Sequence, residues 1–199
     1  MPVAAGAVLS LLLAGCSEAP QAAGKAKRLE PVTGEAALFR LYSVARAWAG
    51  DIQTLRARSI PLAGVTSETG KSGAWEATFV SESKGRARTY TFSVVEAPGN
   101  LHEGVFAGLE EVYAGPRGEE KLFPATVIMV DTDKAYAIAS KHDAEYAKKN
   151  SKSPISYLLV LSARHADPAW RVIWGESVSA SSYSVLVDAV TGDYLETLR

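Results

Sequence analysis

The chain has 199 residues, 47% of them hydrophobic, enough for one ordinary domain or two small ones around a packed core. Its 21 basic and 22 acidic residues leave a net charge of −1, which excludes a global field that would gather nucleic acid or an anionic membrane surface. A single cysteine, Cys16, excludes an intramolecular disulfide, so burial alone must hold the fold.

Residues 1–16 form an uncharged apolar run that is too short for a spanning helix of roughly 20 residues and reads as the core of an export signal. It ends in Leu13-Ala14-Gly15-Cys16, which closely resembles the bacterial lipobox, in which small residues precede a cysteine that is lipidated and becomes the first residue of the mature protein. The resemblance implies that Cys16 carries the membrane anchor, that the protein faces the periplasm from the cell envelope, and, because Ser17 rather than Asp follows, that the outer membrane is favoured. Several acyl chains hold a protein far more firmly than one, at about 0.8 kcal/mol per buried CH₂. Residues 17–34 are small, polar and punctuated by Pro20, Gly24, Pro31 and Gly34, with no apolar period, and read as a flexible tether.

From Glu35 the pattern becomes helical. Leu38, Phe39, Tyr42, Ala45, Ala49, Ile52 and Leu55 recur at three- and four-residue spacings, with Arg40, Arg46 and Arg56 on other faces, and Pro61 ends the run. Trp75, Ala77 and Phe79 then alternate with Glu76 and Thr78, Ser83-Lys84-Gly85 turns the chain, and Tyr90, Phe92 and Val94 alternate with Thr89, Thr91 and Ser93. This predicts antiparallel strands with one solvated face. Residues 101–106 and 111–113 read as two further strands, and residues 116–120 as a loop between units.

Asp131-Thr132-Asp133 after an apolar stretch is a helix start, with Asp131 as the cap, and the helix is expected to run to about Lys149. Ile155–Leu161 is apolar enough for a central strand. Trp170–Trp174, Tyr183–Ala189 and Tyr194-Leu195 read as three more, the last two joined by a turn at Thr191-Gly192-Asp193, where Gly192 supplies positive φ and Asp188 can accept loop N–H groups. Set Tyr90 against Tyr183 and Gly99 falls on Gly192 without a gap. The fold class is therefore α+β: two tandem units, 35–118 and 119–199, each a helix packed on an antiparallel sheet.

Asp131-x-Asp-Lys-Ala-Tyr-Ala-Ile-Ala139 resembles the helix opening of PepSY domains, and Trp170-Arg-Val with Tyr183 to Leu195 resembles that family's terminal hairpin. The tandem plan is also similar to that of the beta-lactamase inhibitor protein. The resemblance implies a helix on an antiparallel sheet and a role in binding or restraining peptidases, and it brings no catalytic residues.

Catalytic and cofactor signatures are weak. Gly70-Lys71-Ser72 lacks the P-loop glycine, because residue 65 is Val65, and it feeds a strand rather than a helix. Ser162, His165 and Asp167 crowd into one short stretch, whereas triads assemble from separated segments. His102, His142 and His165 are scattered, and Asp131-x-Asp133 lacks the rest of a calcium loop. No metal, cofactor or nucleic acid is expected. Trp75, Trp170 and Trp174 are the candidate contact residues if a sheet face is left bare, and core residues otherwise. The expectation is a non-enzymatic envelope lipoprotein that binds a periplasmic protein or peptide; an envelope-structural or assembly role is the alternative, and a hydrolase comes behind both.

Overall fold

The computed structural model describes Met1 and residues 30–65, 69–99, 101–116 and 118–199. Cys16, its lipobox and all but the last residues of the tether lie outside the described residues. What is described is one large antiparallel sheet with its helices on one side.

A two-residue strand β1 (Val32–Thr33) leads into helix α1 (Gly34–Ala45), whose Ala37, Leu38, Leu41 and Ala45 are buried at helical spacing. The predicted continuation through Leu55 is not helical. The chain turns after Ala45, and Gln53–Ile60 is a strand, β2. Its inward residues are Thr54, Ala57 and Ser59, all buried, so the alternation that marks a strand is written in small and polar side chains. Arg56 and Arg58 occupy its other face, and Arg56 is not on the amphipathic helix where the spacing put it.

Strand β3 (Lys71–Ser72) pairs with β1, and β4 (Ala74–Ser81) and β5 (Arg86–Ser93) form the hairpin predicted around Gly85. Residues 104–112 form one continuous strand, β6 (Gly104–Val112), where two short strands were predicted; an irregularity opposite Arg88–Tyr90 breaks its alternation. A short β7 (Glu120–Lys121) and a 3-10 turn (Ala125–Val127) precede α2 (Thr132–His142). Asp143 interrupts the expected single helix and caps α3 (Ala144–Lys149) by accepting from Tyr146 N. Then follow β8 (Ile155–Ser162), β9 (Ala169–Trp174), β10 (Ser184–Asp188) and β11 (Tyr194–Leu198). In the hairpin after β10, Asp188 accepts from Val190 N and Thr191 N at 2.8 and 2.9 Å, and Gly192 has φ 83°.

The strands lie in the order β11-β10-β9-β8-β2-β4-β5-β6, with β7 paired to β8 in a nine-stranded sheet. Its seam is β2 against β8, where Arg56, Ala57 and Arg58 pair with Val160, Leu159 and Leu158. Both long helices start at this seam. Gly34 N donates to Thr132 Oγ1 at 2.8 Å, and Glu35 N to Asp131 Oδ1 at 2.9 Å. Trp75 Nε1 bonds Val32 O, Trp170 Nε1 bonds Val130 O, and the two indoles meet edge-on at 6.3 Å. They fill the centre of the core over Ala57, Tyr157 and Leu159. None of the described helices is long and apolar enough to cross a membrane.

Candidate functional site

The three tryptophans, read from the sequence as core residues in preference to contacts on a bare sheet face, are core residues. Trp75, Trp170 and Trp174 are 1%, 0% and 6% exposed, because they sit on the helix-covered side of the sheet. Tyr90, Phe79, Tyr157 and Val187 share that side. The alternate residues of the same strands point the other way, and none of the described helices covers them.

This opposite side is a depression of about 1010 Å³ that crosses the seam and takes its lining from both halves of the chain. Arg56, Arg58, Glu76, Thr78, Thr89 and Thr91 come from the first half, and Ser156, Leu158 and Ile173 from the second. Residues 98–99 and 176–179 wall it in one direction and residues 112–115 in another. The middle is polar and mostly paired: Arg58 Nε lies 2.6 Å from Glu76 Oε1, Arg56 holds Glu120 at 2.6 Å, and Thr78 and Thr89 share a hydroxyl hydrogen bond of 2.9 Å, while the buried Thr91 hydroxyl has no partner among the described residues. These ion pairs are partly solvated and add little to stability, so their effect is to fix which groups face the opening. Burial, helped by the carboxylates of Glu82 and Glu120, raises the Tyr113 phenol at the rim above its ordinary pKa.

The other sequence candidates are not brought together. His165 faces Glu196 at 3.4 Å, while the Ser162 hydroxyl accepts from Arg164 N, so Ser162, His165 and Asp167 do not form a relay. His102 contacts Glu96 and packs at a tilt against Phe106, and His142 stacks on Tyr194. Among the described residues no three His, Cys, Asp or Glu side chains cluster as metal ligands would. Asp131 caps α2, as read from the sequence, by accepting from Thr132 N at 2.6 Å. Gly70 is a packing point: its φ is 86°, its N–H donates to Tyr157 Oη at 2.9 Å, its carbonyl accepts from Thr132 Oγ1, and a Cβ there would collide with the backbone of Asp133. Three of the arginines are engaged: Arg56 is paired with Glu120, Arg40 lies over Phe92, and Arg88 donates to Gly108 O.

The depression itself was missed by sequence reasoning. Its residues are the Thr, Arg and Glu of any solvated strand face, and alternation cannot tell a hollow face from a flat one. The available signal was the apolar Leu158 and Ile173 at the outward positions of otherwise amphipathic strands.

No protein-family model and no curated protein sequence matches the chain. Among solved structures, the fold is similar to that of a chain from Clostridium difficile 630, provisionally described as a lipoprotein, at 11% identity and a TM-score of 0.54. The match covers 85% of this chain and 96% of that one. At this identity the likeness shows a shared fold, a mixed α+β architecture built on a large antiparallel sheet.

Proposed function

We propose that the protein is an envelope lipoprotein, anchored through Cys16, that binds another protein or peptide on the uncovered face of its sheet without catalysing a reaction. The observation that carries the binding reading is the depression of about 1010 Å³, open on the side away from the helices and lined from both halves of the chain. The lipobox-like Leu13-Ala14-Gly15-Cys16 and the description of the Clostridium difficile relative in fold both support the anchor.

The same reading takes the chain as two tandem PepSY-like units. The helix-starting segments 32–37 and 130–135 support it, since each places a valine carbonyl on a strand tryptophan, Val32 on Trp75 and Val130 on Trp170. With those tryptophans matched, Trp75 pairs Phe92 and Trp170 pairs Val187, so Tyr90 corresponds to Val185 rather than to Tyr183. That moves the gap-free sequence match by two residues, a shift that preserves which face each side chain occupies.

The test uses a photo-crosslinking amino acid placed in the expressed full chain at Leu158 or Thr89 on the open face, or at Ser43 or Lys148 on the helix side. A discrete protein adduct from the first pair alone is the expected result. Adducts of equal yield from both sides, or none from the open face, sink the binding reading; a permeability defect on gene deletion would then favour the structural role. Cys16→Ser is expected to abolish metabolic fatty-acid labelling and release the protein from membranes, and persistent labelling removes the anchor.

A further inference from the structure

Resting on the reading of the open face as a binding surface, we propose that its partner presents a basic, extended segment, Lys or Arg near each end and apolar side chains between. Among the described residues, the charges lining the depression are two arginines and four glutamates. Arg58 is held by Glu76 and Arg56 by Glu120, each at 2.6 Å, so the floor is internally neutral. Glu111 and Glu176 remain, both exposed and neither in an ion pair among the described residues. They stand on opposite sides of the hollow, Glu111 on β6 and Glu176 just beyond β9. Five interstrand steps separate β6 from β9. At about 4.8 Å each that is roughly 24 Å across the strands, and because Glu111 is level with Ala87 and Val80 while Glu176 lies past the opposite strand ends at Trp174 and Ile155, an extended chain must run obliquely over the face to reach both.

Between the two carboxylates the surface changes character. Leu158, half-buried, and Val178, 40% exposed, offer apolar contact, with Ile173 buried beside them. An acidic or merely hydrophobic partner would leave two carboxylates unanswered or desolvated on its approach, a cost that a cation at each end turns into attraction. The fixed Arg–Glu pairs give no free positive group to welcome an acidic segment.

A phage-displayed library of random dodecapeptides is selected against the full chain in detergent micelles, and the selected peptides are resynthesised with a photo-crosslinker and titrated by fluorescence anisotropy. The expected peptides are enriched in Lys and Arg, crosslink to residues lining the depression, and lose at least tenfold in affinity in the E111Q/E176Q double variant and again between 50 and 300 mM salt. Both glutamates are exposed, and circular dichroism confirms that the double variant keeps its fold. Neutral or acidic peptides crosslinking to the depression, or basic ones indifferent to E111Q/E176Q, overturn the charge assignment and leave the open-face reading standing. Selected peptides that crosslink elsewhere, or no selected peptide at all, overturn both.

Discussion

The two helix starts at the seam look alike in outline and differ in who satisfies them. At the second, Asp131 caps α2 from its own chain position and Thr132 packs beneath it, fully buried. At the first, Thr33 stands at the cap position of α1 and makes no side-chain cap bond; the N–H groups of Gly34 and Glu35 are taken up by Thr132 and Asp131, roughly a hundred residues away. One pair of side chains therefore serves two helices, and the first half is capped by the second. The arrangement leaves Glu35 in a crowded place: burial raises its pKa, and the neighbouring Asp131 carboxylate adds to the effect.

The largest way to break this pairing is Trp170→Ala. Its indole is fully buried against Trp75 and close to Gly34, and truncation is expected to cost about 3–5 kcal/mol in chemical denaturation. Gly70→Ala strains a left-handed residue and drives its methyl into the start of α2, for an expected loss of about 2–4 kcal/mol. Asp131→Ala is expected to cost about 1–2 kcal/mol, the upper part of the range for one cap because two helices lose their acceptor. If its cost is no greater than that of an ordinary surface change, the shared cap is wrong.

A smaller contrast lies in how each half ties down its loops. In the first, Asp51 accepts from Ser81 Oγ at 2.6 Å and Ser83 N at 3.0 Å, and these hydrogen bonds lower its carboxyl pKa to about 2. Because the folded value lies below the unfolded value of 3.8, this clip contributes fully above about pH 4 and is lost as pH falls through about 2. An NMR titration of the Ser81→Ala variant is expected to move Asp51 back toward its ordinary value; an unmoved midpoint rejects the assignment. The smallest effect is expected from Thr33→Ala, within about 0.5 kcal/mol of the parent, since no cap bond is there to lose. A loss matching that of Asp131→Ala would erase the contrast between the two starts.

The same asymmetry explains what could be read from the sequence. The terminal hairpin was legible because Asp188, Gly192 and the alternating Val185 and Val187 each carry local turn or strand chemistry. Asp131 was legible as a cap for α2 but not for α1, because nothing near residue 131 records that Glu35 will arrive beside it. Strand β2 was hidden because the seam has no room for large side chains beneath two indoles: Ala57 and Ser59 are what fit, and they carry little hydrophobic signal. Above them Leu55, Ile52 and Ala49 happened to continue the helical spacing. The open face was the least legible, since concavity arises from how the whole sheet and its loops curve, and no residue type announces it.

The shared cap also sets an expected order of events in time. The β4–β5 and β10–β11 hairpins and the β8–β9 pair join residues close along the chain, whereas the Gly34–Thr132 and Glu35–Asp131 bonds span 98 and 96 residues and form only after a long loop closes. The seam is thus expected to lock after the transition state, so that Asp131→Ala speeds unfolding and leaves the refolding rate nearly unchanged in stopped-flow measurements. A refolding arm slowed in proportion to the lost stability would instead place the meeting of the two helix starts in the folding nucleus.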